Sequence, residues 1–96
     1  MKHGRLDDNH LEIVQALRDA KCGVLSLADL GSGVPDILVW SWAYRCLMLQ
    51  EIKDGAKSPS RRQLTPDESR WHEAWPGPVQ IVYSIDDALR AAGVIK

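Results

Sequence analysis

Two carboxylates and one amine stand at the ends of two apolar segments in the middle of the chain. Asp36 opens the first segment, and Glu51 and Lys53 close the second. If residues 36–42 and 45–53 form a β-hairpin with its turn midway between them, Asp36 lies directly opposite Glu51. Cross-strand partners share a face of a sheet, and so do alternate residues of one strand. The pattern therefore predicts that all three groups point the same way.

Two adjacent carboxylates suit a hard divalent cation such as Mg²⁺ or Mn²⁺. A neighbouring ammonium can act on an attacking water or on a phosphoryl oxygen. Together the three groups indicate the chemistry of phosphodiester hydrolysis. The alternative interpretation is that each is an ordinary charge at an exposed strand end. An acid at the head of an apolar strand is costly unless it is paired or binds metal, which favours the functional interpretation.

The order of these residues resembles the PD-(D/E)xK nuclease signature. Pro35-Asp36 matches its first part and Glu51-Ile52-Lys53 its second, and the chain most resembles the small VRR-NUC and phage endonuclease branch. The resemblance extends over nearly the whole sequence, as a single domain of residues 1–96. It implies an α/β fold with a restriction-endonuclease-like α-β-β-β-α-β core, in which helices flank a mixed four-stranded sheet.

The same resemblance implies a magnesium- or manganese-dependent endonuclease that cleaves DNA, acts on branched or junction structures and forms a homodimer. Asp36 and Glu51 would hold the cation, and the backbone carbonyl of Ile52 would complete its shell. Lys53 would help to position and polarise the attacking water. Glu12, in the first helix, resembles an acid that these nucleases add to the metal site, although it could equally be an ordinary exposed glutamate.

The charge balance gives the main argument against a nucleic-acid partner. The formal net charge is -1, whereas phosphate binding usually draws on an excess of Lys and Arg. Acids that bind a cation lower this sum without opposing DNA once the ion is present. Four basic residues follow the proposed site in the sequence. They form either a solvated surface or a set that contacts the DNA backbone: Lys57, Arg61, Arg62 and Arg70.

The sequence also indicates the compartment. No segment approaches the roughly 20 apolar residues of a membrane-spanning helix, and the charged start does not resemble a signal peptide. We expect no membrane association and a cytoplasmic location, which would be the bacterial host cytoplasm if the protein derives from a phage.

Local patterns predict the elements that position the site. Thr65-Pro66-Asp67-Glu68 is a capping box that opens a helix, and this role explains Glu68, which stands where related sequences often have glutamine. The central strands are apolar on both faces, which predicts a sheet covered on both sides. The remaining predicted elements are a helix capped by Asp7 or Asp8 and ending near Ala20, strands over 24–28 and 79–83, and a last helix over 86–92 capped by Ser84.

Histidine and tryptophan do not suggest a second site. The histidines lack paired ligand spacing, so we predict that they are surface residues: His3, His10 and His72. The tryptophans are more consistent with a core or a subunit interface than with base stacking. Two other functions stay open, namely a catalytically inactive nuclease-fold module that binds DNA or assembles a complex, and an unrelated small α/β protein with surface acids.

Overall fold

The computed structural model describes residues 7–96, in which helices and strands follow the predicted order α-β-β-β-α-β with one further helix. The mixed α/β class is therefore confirmed. The elements are α1 (His10–Asp19), β1 (Gly23–Ser26), β2 (Ile37–Ser41), β3 (Cys46–Ile52), α2 (Pro66–Ala74), β4 (Val79–Val82) and α3 (Ile85–Ala91). Within residues 7–96, no helix has the length and apolar character that crossing a bilayer requires.

The four strands form one mixed sheet in the order β1-β2-β3-β4. The first three strands are antiparallel, and β4 runs parallel to β3 because α2 carries the chain back between them. In the β2–β3 hairpin, Ile37 pairs with Gln50 and Ser41 pairs with Cys46. The predicted register is confirmed, and one further step along it sets Asp36 opposite Glu51.

Helices α1 and α3 cover one face of the sheet, which we call the inner face. Two of its polar side chains bond to carbonyls at the end of α3: Gln50 donates to Ala88 at 3.2 Å, and the hydroxyl of Ser41 donates to Ala92 at 2.6 Å. The rest of this interface is apolar and buried. The core comprises Ile13, Val14, Leu17, Cys22, Ile37, Val39, Ile52, Val82, Ala88 and Ala92.

The opposite face of the sheet is open over much of its area, so the prediction of a sheet covered on both sides is wrong for the isolated chain. Leu25 is 59% exposed, Trp40 44% and Leu47 62%. Trp40 alternates with Val39 and Ser41, which are buried on the inner face, as the two-residue period of a strand requires. Helix α2 approaches this outer face at the end of β3, where His72 lies near Glu51.

Helix α1 begins one or two residues later than predicted. Asn9, and neither Asp7 nor Asp8, is its N-terminal cap residue. The Asn9 amide donates to the backbone carbonyls of Lys53 and Tyr83, each at 3.2 Å, and so joins the start of α1 to the ends of β3 and β4. Asp7 is thereby placed beside the proposed site.

Candidate active site

The backbone fixes Asp36 at the start of β2. Its carbonyl accepts a hydrogen bond from the amide of Leu27 at 2.8 Å, and its carboxylate oxygen Oδ2 accepts one from the amide of Ile52 at 2.7 Å. The second bond crosses from β2 to the last residue of β3. It holds the carboxylate against the strand that carries Glu51 and Lys53.

Glu51 is only 1% exposed, and its carboxyl group lies beside that of Asp36. Burial, and then the neighbouring carboxyl group of Asp36, raise the pKa of Glu51 to about 10. Glu51 therefore keeps its proton at neutral pH. Such a pair exchanges its proton for a cation readily, because the cation removes the repulsion that keeps the proton bound.

Lys53 lies beside this pair and is 7% exposed. Its ammonium nitrogen Nζ is 2.7 Å from Oε1 of Glu68. Burial opposes the charge on Lys53, but the hydrogen bond and charge of Glu68 outweigh it, and the pKa of Lys53 is raised. Burial likewise acts against the charge on Glu68, yet Lys53 lowers the pKa of that carboxyl. Both groups are therefore charged at neutral pH.

A cavity of about 350 Å³ opens onto these groups. The loop before Asp36 forms one wall and the start of α2 forms the other. Gly33 makes this contact possible, because its φ is +81° and a Cβ atom there would collide with the backbone of Asp67. The ionisable side chains that line the cavity are Asp7, Asp36, Glu51, Lys53, Asp67 and Glu68.

The predicted acid of the first helix is not in this cavity. Glu12 is exposed and lines a separate cavity with Asp8, Asp54 and Asp86. Asp7, which precedes α1, lines the site cavity instead, and burial raises the pKa of its carboxyl. The start of α1 at Asn9 explains the difference, since the helix carries Glu12 away from the end of β3.

The predicted DNA-contacting residues do not form one free basic surface. Lys57 lies 4.0 Å from the carboxylate of Asp7, and Arg70 is paired with Asp67. Arg62 donates to the carbonyl of Gly55 at 3.3 Å and stacks over the ring of Tyr83. Arg61 is exposed, at the end of a short 3₁₀ helix, Pro59–Arg62.

Two side chains of α2 reach the site against the sequence-based expectation. Nε2 of His72 is 3.4 Å from Oε1 of Glu51, and the side chain of His72 is 15% exposed, so it is not a surface residue. His10 is buried as well, and His3 lies outside the described residues. The spacing of Glu68 and His72 could have shown this, because residues four apart share one face of a helix.

The donor set fits a hard cation. The amide of Ile52 points to Asp36, whereas the amide of Lys53 donates to Val82 in β4. Because the amide and carbonyl of one strand residue face the same neighbour, the carbonyl of Ile52 also faces the Asp36 side. Among residues 7–96, no three acidic, histidine or cysteine side chains form a metal-binding group. A cation here would rely on two carboxylates, this carbonyl and water, which are the oxygen ligands that Mg²⁺ takes.

Comparison with known proteins gives no further information on the site. No family model matches the chain, and no curated protein or solved structure gives a significant match.

Proposed function

We propose that this chain is a magnesium- or manganese-dependent DNA endonuclease with a restriction-endonuclease-like fold. The observation that carries the proposal is the half-buried carboxyl group of Asp36 beside the buried one of Glu51, with a charged lysine next to them. A buried charge or an unneutralised acid pair destabilises a fold. A small domain that maintains all three groups in one cavity therefore has a functional reason to do so.

Asp36, Glu51 and the carbonyl of Ile52 would hold the cation. When bound, the ion supplies Lewis-acid activation of water and neutralises charge that develops on the phosphate. Lys53 keeps its proton at neutral pH and so acts as a donor and a positive charge. We assign its ammonium to a non-bridging oxygen of the scissile phosphate, where it stabilises the negative charge of the transition state.

The substrate in this proposal is duplex or branched DNA. Arg61 is exposed and can contact a phosphate directly. To bind phosphate, Lys57 would have to leave Asp7 and Arg70 would have to leave Asp67. Arg62 would contact phosphate from its position over the ring of Tyr83. Such contacts to the phosphate backbone position the DNA without reading base edges, so this proposal assigns recognition to DNA shape.

The direct test is cleavage of a labelled plasmid and a labelled four-way junction by the purified protein. We expect cleavage with Mg²⁺ or Mn²⁺, none with a chelator, and more turnover on the junction than on a linear duplex. The Lys53→Ala variant should retain DNA binding and lose cleavage. Salt-sensitive binding without metal-dependent cleavage would instead favour the second function, an inactive module that binds DNA.

We also propose that two copies pair through the outer face of the sheet. Leu25 pairs with Leu38, and Trp40 pairs with Leu47, so apolar side chains form adjacent rows across the strands. Four of these side chains are well exposed and offer roughly 400 Å², at about 200 Å² for a full side chain of this size; they are Leu25, Trp40, Leu47 and Ile81.

Half-buried neighbours on the same face, including Leu38 and Leu49, add to this area. Two copies packed face to face would then bury about 1,000 Å², the lower limit for a specific interface. The rows formed by Leu25, Leu38 and Leu49 and by Trp40 and Leu47 are uncharged, so this part of the face suits a second copy better than it suits DNA.

Trp40→Glu is expected to make the protein monomeric, because it would bury a charge in the interface. Sedimentation velocity at micromolar concentration measures the change. Leu11→Glu is the matched control, since Leu11 is 73% exposed but lies on α1. A monomeric wild-type protein, or a dimer that persists in Trp40→Glu, would contradict this interface.

A further inference from the structure

One carboxylate oxygen joins the start of α2 to the candidate site. Oε1 of Glu68 accepts the backbone amide of Thr65 at 2.8 Å and the ammonium of Lys53 at 2.7 Å. The first bond belongs to the capping box, which is confirmed, because the amide of Glu68 also donates to the hydroxyl of Thr65 at 3.2 Å. Helix capping is thus only part of what Glu68 does.

The position of this oxygen is set by backbone on two sides. The capping bonds fix Glu68 to the first turn of α2. Gly33 lets the loop before Asp36 pack against the backbone of Asp67. The side chains of Glu68 and Lys53 are 18% and 9% exposed, so water screens their attraction little. Lysine has a flexible stem and a point charge, and it depends on such a partner for a defined position.

Without Glu68, the carboxyl groups that still act on Lys53 are those of Glu51 and Asp7, and Glu51 becomes an anion once a cation displaces its proton. A lysine drawn to Glu51 would compete with a cation for the carboxyl pair and would leave its place beside the phosphate. The ion pair with Glu68 therefore keeps the positive charge of Lys53 apart from that of the cation.

We propose that Glu68 is a positioning residue that uses the helix cap as an anchor to hold Lys53 at the scissile phosphate and away from Asp36 and Glu51. The inference rests on the proposed function, because the phosphate and the cation come from it. Under this proposal the carboxylate of Glu68 affects the rate of DNA cleavage by positioning Lys53, and not by stabilising α2.

Three variants separate positioning from capping. Thr65→Ala removes one capping bond and leaves the carboxylate. Glu68→Ala removes the carboxylate and the cap, whereas Glu68→Gln keeps a capping-box side chain and an acceptor but loses the charge. Glu73→Gln, an equal change of charge on the exposed surface of the same helix, is the control.

We expect Glu68→Ala to lower kcat about 100-fold, because a misplaced catalytic group costs about this much, with KM changed less than threefold. The kcat of Glu68→Gln should be about tenfold higher than that of Glu68→Ala. Thr65→Ala should stay within about threefold of wild type, although its unfolding midpoint falls by about as much as that of Glu68→Ala. Equal loss of kcat in Thr65→Ala and Glu68→Ala would overturn the proposal and leave only capping.

A measurement without DNA keeps this test separate from the nuclease assay. In ¹⁵N-lysine-labelled protein at fixed pH, the ammonium of Lys53 should give a slowly exchanging N–H signal, because it is buried and hydrogen-bonded. We expect the signal to persist in Thr65→Ala and Glu73→Gln and to vanish in Glu68→Ala. A signal unchanged in Glu68→Ala overturns the positioning role, whereas failure of the wild-type protein to cleave DNA, with the signal behaving as expected, overturns the nuclease proposal alone.

Discussion

Asp36→Asn is expected to lower the rate of metal-dependent DNA cleavage by about 1,000-fold or more. The change keeps the size of the side chain and an acceptor for the Ile52 amide, but it removes a charged oxygen that would hold the cation. Metal activation contributes several kcal/mol to a barrier, and each 1.36 kcal/mol corresponds to a factor of ten. Single-turnover cleavage of a labelled junction at saturating protein measures this effect without a contribution from product release.

Glu12→Gln is the informative comparison for this experiment. Glu12 lines a different cavity from Asp36, so its variant should cleave within about threefold of wild type. A strong loss in Glu12→Gln together with full activity in Asp36→Asn would reverse the assignment of the site. Activity retained in both variants would place the cleavage elsewhere in the molecule or in a contaminating enzyme.

Glu51→Gln is expected to make the metal-free protein more stable at neutral and alkaline pH. The ordinary pKa of this carboxyl is 4.5, and burial beside Asp36 raises it to about 10 in the fold. Between these values the folded protein binds a proton that the unfolded chain has released, so wild-type stability falls as pH rises through this range. Glutamine imitates the protonated acid at every pH and avoids this loss.

The gain in stability should therefore be small near pH 5 and should grow to roughly 2–4 kcal/mol at pH 8. Urea unfolding of both proteins at several pH values, with a chelator present, measures the difference. The difference between the two proteins is the useful quantity, because other groups such as Glu68 titrate in both of them. A difference that is constant with pH, or a variant less stable than wild type at pH 8, would contradict the protonated state of Glu51.

Both predicted results have the same physical cause. The carboxyl pair destabilises the metal-free protein, because two neighbouring acids in a poorly solvated site cannot both ionise. A bound cation removes that cost. A residue whose replacement stabilises the protein and abolishes its activity is the expected signature of a functional site.

The sequence predicted the elements that depend on local pattern. The two apolar strands and their midpoint were sufficient to set the β2–β3 register, because a slip of one residue would turn every side chain to the other face. The capping box at Thr65, and with it the start of α2, followed from residue types that have one favourable place in a helix. The joint position of Asp36, Glu51 and Lys53 could therefore be predicted.

The rest of the site depends on packing between elements. Asp7 enters the cavity and Glu12 does not because α1 begins at Asn9, whose amide binds the carbonyls of Lys53 and Tyr83. No local signal chooses Asn9 over Asp7 or Asp8 as the cap residue, since all three types are favoured there. His72 reaches Glu51 only because α2 lies at that end of the sheet.

The apolar strand pattern did not predict that the outer face would be exposed. An apolar run such as residues 46–49 predicts that both faces of a strand are covered, but it does not say by what. In the isolated chain, α1 and α3 cover the inner face, and Trp40 and Leu47 remain exposed on the other. A second copy would satisfy the pattern that the chain alone does not.

In this proposal, Asp36 and Glu51 together bind one divalent cation in exchange for the proton that Glu51 carries at neutral pH. Isothermal titration calorimetry with Mn²⁺ at pH 7, in two buffers of different protonation enthalpy, measures both the affinity and the protons released. We predict one site in the wild-type protein, release of about one proton per ion, and no saturable binding in Glu51→Gln up to millimolar Mn²⁺. Equal affinity in the two proteins, or binding without proton release, would contradict the account.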